Sequence, residues 1–93
     1  MAENQVRRKK ITINNKLGLH ARAAAKIVQT SSQFHSRISI IKNGREADAK
    51  SMLDILTLSC PQGTRIELCA EGKDASEALA ALTVLFNNKF DEE

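Results

Sequence analysis

Apolar and polar positions alternate through residues 6–14, with Ile11 and Ile13 on one face and Lys10 and Thr12 on the other, the period of two expected of a half-buried strand. Asn14-Asn15-Lys16-Leu17-Gly18 breaks the rhythm with turn-forming residues. From Ala21 to about Gln33 the period lengthens, and Ala24, Ile27, Val28 and Ser31 share one side of a helix that consecutive alanines favour. Alternation returns over 36–42 through Ile38 and Ile40. Asn43-Gly44 then signals a two-residue hairpin, with a short return strand over Arg45–Ala49. The stretch from Lys50 to Leu58 is too densely apolar for a solvated loop and reads as a short helix starting near Ser51, stopped by Pro61-Gln62-Gly63. A strand over 64–70 places Ile66, Leu68 and Ala70 on one face. After Glu71-Gly72-Lys73, Asp74 suits an N-cap. The helix it opens carries Ala78, Leu79, Leu82, Leu85 and Phe86 on one amphipathic stripe.

The resulting order is β-α-β-β-α-β-α, without internal repeat or linker. Each strand has one apolar face, so the expected architecture is α+β, an open-faced β-sandwich. Its four-stranded, mainly antiparallel sheet carries three helices on one side. The 93 residues suffice for one domain over 1–93 with a single core. Residues 1–5 and the acidic 91–93 are expected to be frayed tails.

Composition narrows the function. Hydrophobic residues at 42% and charged residues at 27% are ordinary for a globular domain. No apolar stretch is long enough to cross a bilayer, and the charged start lacks the apolar run of a secretory signal. A cytoplasmic location is therefore expected, with no membrane partner. Cys60 and Cys69 have neither redox nor zinc-ligand spacing and read as reduced structural thiols; no metal or cofactor is expected. The net charge of +3 includes the run Arg7-Arg8-Lys9-Lys10. Such a run suggests nucleic acid. Yet Tyr and Trp are absent, and Phe34, Phe86 and Phe90 lie outside strand patterns, which leaves no base-stacking platform.

The chemistry concentrates at Gly18-Leu19-His20-Ala21-Arg22, where the first strand hands over to the first helix. His20 falls at the helix N-terminus, whose N–H groups lack intrahelical partners and whose dipole end is positive. That end favours a neutral, nucleophilic imidazole. It also offers the backbone N–H groups of Ala21, Arg22 and Ala23 to a phosphoryl group carried by the ring. The Arg22 guanidinium can reach the same oxygens, and Gly18 leaves room for close approach. A histidine at a helix start is also found as a plain surface or capping residue, so local chemistry alone leaves both readings open. The chain has no P-loop and no acidic metal cluster, so a phosphoryl group must come from a donor protein rather than from ATP.

Gly18-Leu19-His20-Ala21-Arg22 resembles the active-site motif of the histidine-containing phosphocarrier proteins (HPr) of the bacterial phosphotransferase system. The likeness extends over most of the chain: Lys50-Ser51-Met52-Leu53 is similar to the start of the family's second helix, Gly63 and Gly72 fall at its turns, and the element order is the family's. The resemblance implies that His20 is phosphorylated on Nδ1 with Arg22 assisting. It also implies that enzyme I, charged by phosphoenolpyruvate, is the donor and an enzyme IIA-type protein the acceptor. The carrier is then a stoichiometric substrate of phosphotransferases, not an enzyme, and is expected to be a monomer. One position departs from the pattern. The family's usual proline after the motif arginine is here Ala23, which fits the same first turn but rigidifies it less.

Two further features follow. Ser51 is an N-cap on local grounds; the resemblance adds a regulatory serine phosphorylated by an ATP-dependent HPr kinase/phosphorylase. The second helix is apolar over too wide an arc, because Ile55 and Leu58 can face the sheet while Met52, Leu53 and Leu56 point away. With Gly18 and Ala25 these residues are the expected docking patch for partner proteins. His35, outside the motif, reads as a solvated loop residue. Leu85-Phe86-Asn87-Asn88-Lys89-Phe90-Asp91-Glu92-Glu93 resembles the tails of nitrogen-related carriers, whereas Ser51 in its Lys-Ser-Met-Leu setting is more like the sugar-system proteins. Sugar uptake and regulatory signalling both stay open. The competing classes are a small acylphosphatase-like hydrolase using Arg22, and a nucleic-acid-binding module using the basic run.

Overall fold

The computed structural model describes residues 5–92. Strand β1 (Gln5–Thr12) is followed by helix α1 (Ala21–Ser31), strands β2 (Arg37–Lys42) and β3 (Arg45–Asp48), and helix α2 (Met52–Leu58). Strand β4 (Arg65–Gly72), helix α3 (Ala75–Asn87) and a short turn over Lys89–Asp91 complete the chain. The sheet order is β1-β4-β2-β3 with every pairing antiparallel. This is the expected open-faced sandwich. Among the described residues, no helix is long and apolar enough to cross a membrane.

Element boundaries moved where backbone hydrogen bonds decided them. Strand β1 ends at Thr12, two residues before the alternating pattern does. Ile13 still bonds across the sheet end, donating to Thr64 O (2.8 Å) and accepting from Gly63 N–H (2.8 Å), but there it meets the turn rather than a strand. Helix α1 closes at Ser31, because the next N–H groups loosen into a turn with Gln33 reaching Thr30 O at 3.2 Å. Strand β4 runs on to Gly72, since β1 pairs with it along its whole length.

The core lies between the helices and one sheet face. Ile38 and Ile40 of β2, Ile66 and Leu68 of β4, Ile27 of α1, Ile55 of α2 and Leu82 of α3 are buried there. Each such side chain contributes about 1.5–3 kcal/mol relative to exposure. Strand alternation splits the basic run between the two faces. Arg7 Nε donates to Ser76 Oγ of α3 (3.1 Å), while Arg8 lies 3.4 Å from Glu67 of β4. The four cations therefore do not form one continuous patch.

Two expectations require correction. Asp74 stands at the N-cap of α3 but makes no capping bond to that helix. Its carboxylate accepts instead from the N–H of His35 (2.8 Å), the N–H of Ser36 (2.9 Å) and the Ser36 hydroxyl, tying the α1–β2 loop to α3. The Ser36 hydroxyl and then the His35 N–H hold the Asp74 carboxyl down to about 2. The second correction concerns the ends. Gln5 opens β1, and the acidic 91–92 is not frayed. Phe90 is buried against Phe86, ring centroids 4.9 Å apart, and draws Glu92 into the fold. Residues 1–4 and 93, also expected as tails, lie outside the described residues.

Candidate functional site

His20 is the N-cap of α1, with extended backbone (φ −81°, ψ −176°). Its carbonyl accepts the first helical bond, from Ala24 N–H at 2.8 Å. The N–H groups of Ala21, Arg22 and Ala23 precede that bond and point out of the helix end. Arg22 N–H donates to His20 Nδ1 at 3.3 Å, a long contact for a hydrogen bond. Helix α1 has no acidic residue in its own first turn; the carboxylate nearest its head comes from the far end of the chain. The Arg22 side chain is exposed.

The opposite ring nitrogen has a partner that the sequence did not suggest. His20 Nε2 meets the Glu92 carboxylate, and the carboxylate is the more buried of the two, 8% exposed against 28% for the ring. The other Glu92 oxygen accepts from Asn15 Nδ2 at 3.0 Å, and the same amide donates to Gly18 O at 2.8 Å. Asn15, which reads as a turn residue, is completely buried. A carboxylate can only accept, so the contact calls for a proton on Nε2, while the Arg22 N–H facing Nδ1 calls for a lone pair there.

Glu92 arrives there through an unusual backbone. Lys89, Phe90 and Asp91 all have positive φ (53°, 57° and 59°), a conformation that costs a non-glycine residue about 1–2 kcal/mol. Burial of Phe90 and a bond from Lys26 Nζ to Phe90 O (2.5 Å) hold the turn in place. The only available sequence signal was the spacing of Phe86 and Phe90, four apart and apolar beyond the helix end.

The docking residues divide. Gly18 (φ 65°) is buried, and the space its missing Cβ would fill belongs to the Cys60–Pro61 backbone, 2.3 Å from Cys60 O. The glycine is therefore needed for loop packing. Ala25, Leu53 and Leu56 are exposed and Met52 is half-buried, while Ile55 and Leu58 of the same helix are in the core. Leu17, 68% exposed beside the motif, was missed; with Leu53 at 71% it is among the most exposed large apolar side chains described. Ala23, at the position of the missing proline, is fully buried.

Ser51 caps α2, its Oγ accepting from Asp54 N–H at 3.2 Å, and is half-buried. Cys60 and Cys69 are free thiols, and burial pushes the Cys60 thiol up, opposed by the positive charge of Lys42. His35 is exposed, as expected of a loop residue. Among the described residues, no three histidine, cysteine or acidic side chains are grouped to hold a metal ion.

An open-faced sandwich with a histidine capping a helix, its Nδ1 turned to the backbone N–H groups of the first turn, defines the class of protein. The comparisons agree with that class. The model of the family described as PTS HPr component phosphorylation site matches residues 7–88. The chain is 47% identical over 83 residues to the phosphocarrier protein HPr of Xylella fastidiosa, covering 89% of this chain and 93% of that one. It is 44% identical over 84 residues to the phosphocarrier protein NPr of Shewanella violacea, covering 90% and 92%. The crystal structure of HPr-C-His from Thermoanaerobacter tengcongensis superposes with a TM-score of 0.91 at 46% identity, covering 94% of this chain and 98% of that one. The chain belongs to the HPr family of phosphocarrier proteins of the phosphotransferase system.

Proposed function

We propose that His20 Nδ1 accepts a phosphoryl group from enzyme I charged by phosphoenolpyruvate and passes it to an enzyme IIA-type acceptor, in sugar uptake or regulatory signalling. The observation that carries this reading is the ring at the head of α1, whose Nδ1 accepts only a long bond from Arg22 N–H. As the Nδ1 lone pair turns to phosphorus, that N–H is released. It can then bind a phosphoryl oxygen beside the N–H groups of Ala21 and Ala23. The Arg22 guanidinium adds charge and geometry, and the transfer needs mainly positioning and electrostatic stabilisation. The protein acts as a stoichiometric cytoplasmic carrier and works as a monomer. Ala25, Met52, Leu53 and Leu56, together with Leu17, form the face that partners cover.

Ser51 is the second site in this reading, a half-buried hydroxyl open to an ATP-dependent HPr kinase/phosphorylase. A phosphate there would place negative charge beside the docking face. The acylphosphatase-like reading needs an asparagine free to position water, and Asn15, beside the site, is committed to Gly18 O and Glu92. The test is incubation with enzyme I and labelled phosphoenolpyruvate. Acid-labile, alkali-stable label that disappears in His20→Ala supports the carrier, and label that survives the substitution overturns it. Turnover of acyl phosphate by the protein alone would favour the hydrolase, and a salt-dependent shift of RNA or DNA the nucleic-acid module.

A further inference from the structure

We propose that Glu92 is a positioning residue for His20: its carboxylate holds the proton on Nε2 and thereby keeps the Nδ1 lone pair aimed out of the head of α1. The inference rests on His20 as the phosphoryl acceptor and adds a residue, distant in sequence, that prepares it. Two contacts from separate parts of the chain specify the same tautomer. An acceptor-only carboxylate faces Nε2, and a backbone donor, Arg22 N–H, faces Nδ1. A carboxylate left free in solvent would have no fixed bearing on the ring, but this one is anchored on both sides. Its second oxygen is bound by the buried Asn15 amide, whose other hydrogen goes to Gly18 O in the loop that carries the histidine. The chain behind it is anchored by buried Phe90 and by Lys26 Nζ on Phe90 O.

The chemistry balances without moving a proton. The Nδ1 electron pair forms the bond to phosphorus while the bond from phosphorus to the donor nitrogen breaks, its pair remaining with the donor. The proton stays on Nε2 throughout, so the ring becomes a phosphoryl imidazolium carrying positive charge, and the Glu92 carboxylate faces that charge. In onward transfer the pair returns to Nδ1 and the ring is neutral again. Glu92 thus acts through the ring and never touches phosphorus. It is an orienting and charge-balancing group of the kind that raises the efficiency of a histidine nucleophile.

Nitrogen-15 NMR of the full chain, paired with transfer kinetics, tests this. The native protein is expected to show a His20 Nε2–H proton protected from solvent exchange. Glu92→Gln keeps one acceptor oxygen but sets an amide NH2 against the Asn15 amide or the ring N–H, so the resonance is weakened, and Glu92→Ala loses it. With enzyme I and labelled phosphoenolpyruvate, the initial rate onto Glu92→Ala should fall about tenfold, with Glu92→Gln in between and both variants folded by circular dichroism. A native protein that takes label but shows no protected Nε2–H overturns the proposal alone. So does a Glu92→Ala variant that loses the resonance yet accepts label within twofold of the native rate, or one that slows while keeping the resonance. A native protein that takes no label overturns the acceptor reading, and the positioning role with it.

Discussion

Helices α1 and α2 start with the same local device and opposite electrostatics. In each, the capping side chain accepts a backbone N–H from the first turn: His20 Nδ1 from Arg22 at 3.3 Å, and Ser51 Oγ from Asp54 at 3.2 Å. The first turn of α1 carries an arginine and no acid, whereas that of α2 carries Asp54, whose carboxylate also accepts from Asp48 N–H. Helix α1 has eleven residues behind its positive end and α2 only seven. A phosphoryl group on Nδ1 of His20 would face a first turn without acids, the Glu92 carboxylate lying at the opposite ring nitrogen. One at Ser51 would meet the Asp54 carboxylate in the first turn and a shorter helix. In the proposed reading, the same cap would serve reversible exchange at His20, while a stable ester at Ser51 would have to be driven on by ATP.

The largest expected effect comes from weakening the charge difference. Arg22→Ala should slow phosphoryl acceptance by roughly 10²-fold, the scale on which single transition-state donors act, with thermal stability changed by no more than about 0.5 kcal/mol because the side chain is exposed. Rapid-quench measurement of labelled chain checks this, and a rate within threefold of native would remove Arg22 from the site. Next is the geometry on which the contrast depends. Gly18→Ala, with φ 65° and a Cβ pressed on Cys60 O, should lose about 2–4 kcal/mol in urea unfolding. It should also slow labelling, since the strand-to-helix loop must shift. Stability unchanged by Gly18→Ala would show that the loop can relax around the added carbon.

Ser51→Ala should cost about 1 kcal/mol as a lost cap and leave labelling of His20 unchanged, which separates the two helix ends experimentally. A labelling rate that fell with Ser51→Ala would show that the two ends are coupled. The smallest effect concerns the third helix start. The Asp74 carboxyl is held at about 2 by the Ser36 hydroxyl and the His35 N–H. Its folded value lies below that of the unfolded chain, so its contribution to stability is complete above about pH 4. It is lost as pH falls toward 2. Asp74→Asn should flatten the native acid-unfolding curve across that window; unaltered acid sensitivity would show that other carboxylates dominate.

How far the sequence could be read depended on the range of each interaction. The element order was legible because period-two and period-3.6 patterns are local, and the α2 stripe correctly separated Ile55 and Leu58 from the outward Leu53 and Leu56. His20 was legible because its motif lies within five residues. Asp74 was placed at the right helix end but with the wrong partner, because its hydrogen bonds run to a loop 38 residues away. Gly18 was read for its freedom, but the crowding that requires it comes from Cys60 and Pro61 in a different loop. Glu92 was misread most completely. An acidic stretch after a helix has the composition of a solvated tail, and only the burial of Phe90 brings it back to a ring 72 residues earlier.

That long return sets an order of assembly for the growing chain. A ribosome that has made β1, α1 and the hairpin has already produced the histidine and its motif, yet β1 has no neighbour until β4 follows, and the ring has no clamp until Glu92 emerges. Closing so large a loop is the slow, late entropic step of such a topology. His20 is thus among the first parts synthesised and among the last to find all its contacts.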